Sequence, residues 1–307
     1  MRWIRDPAQT PPCVLVLGMF DGVHRGHQAL LERGMKLARE RRVPLTVCTF
    51  EPHPMEVLRP DLAPRRLTTP IERARLMAAF GADVLAEIRF TRTLADLEPE
   101  AFLADMTARF RPPAVVCGYN FSYGRDGRGD GDSLSAWASA HGFLAEIVPA
   151  VCDGGKPVSS TRIRGCLSAG DVAEAARLLG HDYSLTGPVQ HGKRQGRTMG
   201  FPTVNVRIPP HKILPSYGVY ACTVTYRGAE HPGIVNVGRH PTLPEGGVTV
   251  EAHILDDAPD LYGETVRVTF LRHLRPEKPF RSKEELTAQI AHDKAEALDF
   301  FAARRDG

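Results

Sequence analysis

The sequence predicts an α/β protein in two parts, a parallel sheet wrapped by helices followed by an antiparallel barrel or sandwich that ends in a helix. Strand and helix signals alternate through residues 13–180, which is typical of a parallel sheet covered on both faces. After residue 183, β-branched runs follow one another with turn residues and no helices between them. A chain of 307 residues also suits about two domains.

The first part contains five apolar runs of strand length. These predicted strands are Cys13–Gly18, Val43–Phe50, Ala82–Phe90, Ala114–Gly118 and Phe143–Val148. Helical spacing of apolar residues predicts helices over 22–41, 70–80, 98–110, 132–141, 160–168 and 171–179. Thr69 and Glu72 form a capping box with Pro70 at the first helical position, and Gly180 is expected as a C-cap.

In the second part, apolar and polar residues alternate every two positions, as in a half-buried strand. Strands are predicted over Val219–Tyr226, Gly233–Val237, Val248–Leu255 and Thr265–Leu271. A final helix runs from about Ser282 to Ala303, with Ser282 as its N-cap. The domain boundary therefore falls near residues 181–186.

Composition excludes several classes of protein. The net charge of +3 gives no argument for a nucleic-acid or membrane partner. No apolar stretch approaches the ~20 residues of a membrane span. The six cysteines are scattered, without the spacing of a zinc site, which favours a reducing cytoplasm. We expect a cytoplasmic protein that acts on small molecules.

The most informative segment is Gly18–His27, which reads GMFDGVHRGH. It joins a predicted strand to a predicted helix, at the strand end where open α/β sheets bind ligands. A helix N-terminus offers free N–H groups and partial positive charge to a phosphate. His24 and His27 are three residues apart and share one helix face. The alternative, a solvated turn with two surface histidines, would require these features to coincide by chance.

Three further segments flank predicted strand ends. They are Phe50–Pro54 (FEPHP), Gly118–Gly124 (GYNFSYG) and Ser159–Arg164 (SSTRIR). Arg162 and Arg164 lie near the start of a helix, where a guanidinium can fork onto phosphate oxygens. Alone, two helix arginines indicate a solvated face; beside an H-x-G-H turn they indicate a triphosphate clamp.

With these motifs in place, the chain resembles the bacterial bifunctional FAD synthetases, in which an FMN adenylyltransferase module precedes a riboflavin kinase. The first half carries G-x-F-D-G-x-H-x-G-H, F-x-P-H-P, G-x-N-F and S-S-T-x-I-R in order. The second half carries Gly187–Val189, then Gly192 and Gly196–Arg197, then Gly200–Asn205 (GFPTVN). The resemblance implies a Rossmann-like nucleotidyltransferase domain over 1–182 and a β-barrel riboflavin kinase domain over 183–307.

For the first domain the resemblance implies adenylyl transfer from ATP to FMN, which yields FAD and pyrophosphate. His24 and His27 would contact the ATP phosphates and stabilise developing charge. The other implied ATP or phosphate-binding residues are Gly18, Phe20, Asp21, Gly22, Gly26, Arg162 and Arg164. The implied flavin-binding residues are Pro52, His53 and Asn120. The sequence identifies no general base in this domain.

For the second domain the resemblance implies phosphorylation of riboflavin by ATP and Mg²⁺. The phosphate-binding loop would use Gly192, Gly196, Arg197 and Gly200. Thr203 and Asn205 alternate with Val204, so in a strand they face one side; their neutral oxygens, with ATP phosphates, suit Mg²⁺. Glu251 would be the general base. From pattern alone Glu251 is a solvated strand residue, and only the resemblance gives it this role.

Two rival functions stay open at this point. One is a nucleotidyltransferase of the same superfamily that acts on another small phosphate ester and carries an inactive barrel. The other is a flavin-binding sensor without catalytic activity. The sequence also leaves the oligomeric state open, so a homo-oligomer is compatible with it.

Overall fold

The computed structural model describes residues 1–190, 203–239, 247–256 and 259–305. The chain divides into two compact units, Met1–Ser160 and Thr161–Gly307. The predicted boundary between residues 182 and 183 differs from this division, because helix α8 (Val172–Leu179) packs on strands β9 (Tyr183–Gln190) and β14 (Thr265–Pro276) of the second unit. As a boundary between functional domains, 182/183 stays a prediction.

The first unit contains eight described strands. They are β1 (Arg2–Arg5), β2 (Val14–Leu17), β3 (Leu45–Glu51), β4 (Val84–Arg89), β5 (Ala114–Gly118), β6 (Leu144–Val148), β7 (Cys152–Asp153) and β8 (Lys156–Pro157). Its helices are α1 (Arg25–Arg41), α2 (Pro54–Leu58), α3 (Pro70–Ala79), α4 (Arg92–Ala95), α5 (Pro99–Phe110) and α6 (Gly131–Ala140), with short 3-10 turns at Pro60–Leu62 and Arg125–Gly127. Helix α7 (Ser160–Ser168) begins at the last residue of this unit.

The second unit is built mainly from strands. They are β9 (Tyr183–Gln190), β10 (Thr203–Val206), β11 (Gly218–Tyr226), β12 (Ala229–Arg239), β13 (Val248–Ile254) and β14 (Thr265–Pro276), and the last helix is α9 (Lys283–Arg305). The strands close into a barrel in the order β10-β13-β12-β11-β14-β9, and every pairing is antiparallel. The structure thus confirms the predicted barrel rather than a sandwich.

The first unit is a six-stranded parallel sheet in the order β1-β4-β3-β2-β5-β6. From β2 the chain moves through α1 to β3 on one side, and later returns from β4 to β5 on the other. Between β2 and β5 the strand order therefore reverses, which is the place where open α/β sheets bind ligands. The parallel α/β prediction is confirmed.

Two apolar layers cover the sheet, because successive side chains of a strand point to opposite faces. Val14 and Val16 of β2 pack with residues of α1 and α3, while Leu15 and Leu17 pack with α5 and α6. The predicted cap of α3 is present, since the Thr69 side chain accepts from the N–H of Glu72 and the Glu72 carboxylate accepts from the N–H of Thr69.

Helix α1 packs closely against the sheet at Gly34. A Cβ there would lie 2.6 Å from Cγ2 of Val16 and 2.8 Å from Cδ1 of Leu45. We expect Gly34→Ala to destabilise the first unit by about 1–3 kcal/mol through overpacking. Urea unfolding followed by tryptophan fluorescence measures this, because both tryptophans, Trp3 and Trp137, belong to the first unit.

The matched control for this prediction is Gly165→Ala in the middle of α7. A Cβ on Gly165 meets no atom within 4 Å, so alanine should be neutral or stabilise by up to roughly 1 kcal/mol through helix propensity. Unfolding followed by circular dichroism compares the two variants. Equal effects of both substitutions would show that the close contact at Gly34 does not matter.

Candidate active sites

Three of the singled-out segments lie at one edge of the parallel sheet. Leu17, the last residue of β2, is paired with Cys48 of β3 and with Cys117 of β5. The chain leaves these three adjacent strands as the glycine-histidine turn (18–27), the segment 51–54 and the segment 118–124. The fold therefore brings together, at the switch point, motifs about 100 residues apart in the sequence.

The backbone between β2 and α1 is sharply turned. Phe20 (φ 53°), Gly22 (φ 85°) and Val23 (φ 43°) all lie in the left-handed region, which is strained for a β-branched residue such as Val23. The N–H of Val23 closes the turn on the carbonyl of Phe20 at 3.2 Å. Strained turns of this kind cluster at functional sites, where the surrounding structure holds them in place.

His24 and His27 form a stacked pair at the start of α1. Their ring centroids are 3.6 Å apart with 16° between the planes. His24 is the N-cap, and its Nδ1 accepts from the N–H of His27 at 3.3 Å. Because an accepting Nδ1 carries no proton, a neutral His24 ring has its proton on Nε2 and can donate from there. The predicted pairing on one face is thus present.

His27 occupies an unusual environment. Within the described part of the chain, its Nδ1 is shielded from solvent and has no hydrogen-bond partner. Burial, together with the neighbouring His24, holds the pKa of His27 well below its ordinary value. His27 is therefore a neutral imidazole around pH 7 rather than a fixed cation.

This low pKa gives a pH-dependent stability with a definite sign. The folded chain binds fewer protons at His27 than the unfolded chain, so the contribution is complete above the ordinary histidine pKa of about 6.5 and is lost as the pH falls below it. We expect a neutral imidazole ¹⁵N NMR signature for His27 at pH 6. In His27→Gln, the unfolding free energy of the first unit should depend less on pH below that value. An imidazolium signal at pH 6 would contradict the prediction.

Two glycines of the turn make room for the protein's own side chains. A Cβ on Gly18 would lie 3.0 Å from Cζ of Phe20, and one on Gly26 would lie 3.1 Å from Nδ1 and Cε1 of His24. The sequence attributes these glycines to the approach of a ligand. In the structure they accommodate the aromatic and imidazole rings that shape the turn.

The side chains of Phe20 and Asp21 have structural partners within the unit. The Phe20 side chain is fully buried in the core, so only its backbone can reach a phosphate. Both carboxylate oxygens of Asp21 accept from residues 67 and 68: Oδ2 from the N–H of Leu67 and Oδ1 from the N–H of Thr68, each at 3.0 Å. The Asp21 side chain therefore holds the turn, and its negative charge is unsuited to a phosphate contact.

The expected flavin-binding residues border the same edge. Pro52 and His53 are partly exposed, and Nδ1 of His53 caps α2 by accepting from the N–H of Met55. Asn120 is exposed two residues after β5. All three thus border the switch point, with side-chain surface open to solvent.

Arg162 and Arg164 lie on α7, in the second unit of the chain. Arg162 donates to Glu174 of α8 at 3.0 Å. The role of both arginines in phosphate binding stays a prediction.

The barrel places its candidate residues in one row across three strands. Glu251 of β13 is paired in register with Asn205 of β10 and with Asn236 of β12. Thr203, two residues before Asn205, is paired with His253. Directly opposite residues share a face with Cβ atoms roughly 4.5–5.5 Å apart, so Thr203, Asn205 and Glu251 form one polar surface.

This polar surface lies on the outside of the barrel. Val250 and Ala252 of β13 are buried on the opposite face, as the alternation predicts. Ile234, on the same face of β12 as Asn236, packs against Ala297 of α9. Glu251 is partly exposed to solvent.

The two neutral oxygen donors suit a hard cation only if phosphates supply the charge. Among the described residues, no cluster of three or more His, Cys, Asp or Glu side chains could hold a metal by itself. Thr203 and Asn205 therefore fit Mg²⁺ that arrives with a nucleotide. Gly192, Gly196, Arg197 and Gly200 lie outside the described residues.

Sequence reasoning misses an ion pair between the barrel and its last helix. Arg275 of β14 donates from Nε and a terminal nitrogen to Asp293 of α9 at 2.8–3.1 Å. Asp293 is only 1% exposed, so this buried ion pair connects α9 to strand β14 of the barrel. No spacing pattern in the sequence connects these two residues, which lie 18 positions apart.

The two units together define a class of protein: a nucleotide-binding α/β domain with a histidine-capped helix, followed by a β-barrel domain with a carboxylate site. Family models agree with both parts, as FAD synthetase matches residues 6–162 and riboflavin kinase matches residues 179–301. The chain belongs to the family of bifunctional riboflavin kinase/FMN adenylyltransferases.

Individual relatives span nearly the whole chain. The bifunctional riboflavin kinase/FMN adenylyltransferase of Escherichia coli (strain K12) is 39% identical to this chain. The match spans 98% of this chain and 97% of that protein. The protein of the same name from Listeria monocytogenes is 35% identical, and the match spans 95% of this chain and 94% of that protein. Neither rival function finds support among these matches.

A solved structure has the same overall fold. A Streptococcus pneumoniae chain, titled a macrolide-efflux protein, has a TM-score of 0.88 and 32% identity and covers 97% of this chain and 99% of its own. In the described part of this protein, no helix is both long and apolar enough to span a membrane.

Proposed function

We propose that the chain converts riboflavin to FMN in the barrel unit and FMN to FAD at the switch point of the parallel sheet. The observation that carries the proposal is that each half has its own candidate site and its own family match. The substrates are small molecules, ATP among them, and a cytoplasmic location and the oligomeric state stay predictions.

In the barrel, Glu251 acts as general base. It takes the proton of the terminal ribityl hydroxyl while that oxygen bonds to the γ-phosphorus of ATP and the bond to ADP breaks. Thr203 and Asn205 would hold Mg²⁺, which neutralises phosphate charge during the transfer. Glu251 is supported by its register position directly opposite Asn205.

At the switch point, a phosphate oxygen of FMN attacks the α-phosphorus of ATP and pyrophosphate leaves. His24 donates from Nε2, and the N–H groups at the start of α1 face the phosphates. His27 lies stacked on His24 and stabilises charge in the same place. Pro52, His53 and Asn120 would border the flavin. Such a reaction depends on positioning and electrostatic stabilisation more than on covalent chemistry.

Incubation with riboflavin, ATP and Mg²⁺, with flavins separated by chromatography, tests the proposal. FMN should form first and FAD should follow. Chelation of the metal with EDTA should stop FMN formation, and added Mg²⁺ should restore it. If neither flavin product forms with Mg²⁺ present, the proposed function is wrong.

A further inference from the structure

A short buried segment connects the two halves of the switch-point site. Residues Arg66–Thr69, here called the strap, precede α3. Arg66 and Thr68 are only 8% and 5% exposed. Neither residue belongs to the motifs that the sequence singles out, and neither is assigned a role in the proposed chemistry.

One end of the strap binds the segment that follows β3. Nε and Nη2 of Arg66 donate to the two carboxylate oxygens of Glu56, each at 2.8 Å, and Nη1 donates to Glu51 at 2.7 Å. Glu51 and Glu56 flank Pro52 and His53. Arg66 therefore holds both ends of the expected flavin-binding segment, Glu56 through a bidentate pair and Glu51 through a third bond. Lysine cannot reproduce this geometry.

The next two residues bind the phosphate turn. Besides the two N–H bonds to Asp21, the Thr68 hydroxyl donates to Oδ1 of Asp21 at 3.2 Å and accepts from the N–H of Gly22 at 3.1 Å. Asp21 is 4% exposed, so these bonds are shielded from water. They hold the left-handed turn that sets the direction of α1 and of its capping histidine.

A further bond joins this same turn to Ser160, whose hydroxyl donates to the carbonyl of Asp21 at 2.9 Å. The strained residues Phe20 and Val23 lie on either side of Asp21 and Gly22. A strained turn persists only where its surroundings over-determine it. The bonds of Thr68 and Leu67 supply that constraint from inside the unit.

We propose that Arg66 and Thr68 are positioning residues for adenylyl transfer, which set the flavin-binding segment and the phosphate-binding turn at a fixed separation. This inference rests on the proposed function of the first unit. Arg66 contacts the flavin-binding segment, and Thr68, two peptide units further on, contacts the phosphate-binding turn, so each residue places its own segment. Errors of about 1 Å in such placement can cost about 10²-fold in rate.

The test measures FAD formation from supplied FMN with full-length Thr68→Val, Thr68→Ser and Arg66→Lys. Thr68→Val should raise KM for ATP about tenfold and leave KM for FMN within about twofold, since it acts on the turn. Arg66→Lys should do the reverse. Thr68→Ser keeps the hydroxyl and should restore most of the activity lost in Thr68→Val. The tenfold effect is smaller than the roughly 10²-fold loss for a 1 Å displacement, because each substitution removes only some of the hydrogen bonds that hold its segment.

Matched controls lie on α5, away from the switch-point edge. Thr107→Val removes a hydroxyl bond to the carbonyl of Leu103, and Arg109→Lys removes the Nε–H donor that the two carboxylate oxygens of Asp105 share. Both should leave both KM values within about twofold of the unmodified chain. Tryptophan fluorescence checks the fold of the first unit, and riboflavin phosphorylation in the same samples checks the second.

Several outcomes overturn the inference. It fails if Thr68→Val and Arg66→Lys raise both KM values equally, or if the serine variant behaves like the valine variant. Should Thr68→Val not fold, an unchanged KM for FMN in Arg66→Lys is sufficient to reject it. Absence of FAD formation by the unmodified chain would instead reject the proposed function, so the two failures are distinguishable.

Discussion

Replacing Glu251 by glutamine is expected to lower kcat for FMN formation by about 10²–10⁴-fold, the usual contribution of a general base. The amide keeps the size and hydrogen-bonding capacity of the side chain but cannot take the ribityl proton. Conversion of supplied FMN to FAD should continue, because that step belongs to the other unit. Chromatography of the flavins with either starting substrate measures both steps in one preparation.

Glu230→Gln is the matched control for this experiment. Glu230 is an exposed glutamate of β12 that pairs with Arg267, and it lies outside the polar row of Glu251. Its substitution should leave both steps unchanged. Normal FMN formation by Glu251→Gln would remove Glu251 from the mechanism.

His27→Ala should lower FAD formation by about 10²–10³-fold, the cost typical of losing one group that stabilises developing charge. FMN should accumulate, since the barrel is untouched. The loss has two sources: the imidazole itself, and the stacking at 3.6 Å that fixes the ring of His24. Time courses from riboflavin measure the accumulation directly.

The control is His141→Ala in the same unit. His141 follows α6 and stacks on Trp137, and it belongs to none of the segments of the switch-point edge. Both flavin steps should be unaffected by it. If His27→Ala abolished FMN formation as well, while tryptophan fluorescence remained native, the assignment of two separate sites would be wrong.

Much of the helix capping and turn structure follows from local sequence. The β2–α1 turn, the capping box of Thr69 and Glu72, and the C-cap at Gly180 all depend on residues within a few positions of one another, and all three are present. Strand β1 is missed because Arg2–Arg5 has two exposed arginines at its ends. Such a segment becomes a strand only by pairing with β4, which lies about 80 residues further on.

The roles of Asp21 and Gly34 depend on partners that no local pattern indicates. An aspartate among glycines at a helix start suggests a ligand site, but its partners Leu67 and Thr68 are 46 and 47 residues away. Gly34 reads as an unfavourable residue within a helix until the positions of Val16 and Leu45 are known. Long-range packing decides both.

In the barrel, β9 is missed because Gly187 and Pro188 are poor strand residues. A Cβ on Gly187 would lie 2.2 Å from the carbonyl oxygen of Arg207, so the glycine is needed for a close backbone approach. Helices α2 and α4 have five and four residues, too few for a periodic signal. The roles of the site residues stay predictions until the variants are measured.

The position of Glu251 opposite Asn205 and Asn236 depends on whether an insertion in its strand has an odd or an even number of residues. Each strand of a closed barrel is held on both sides, and side chains alternate between its two faces. One inserted residue between Val248 and Glu251 would turn the carboxylate into the apolar interior and Val250 toward solvent, whereas two inserted residues would restore its direction. We therefore expect insertions and deletions among homologous chains to fall in the turns of the barrel. Within β13, we expect only insertions or deletions of an even number of residues.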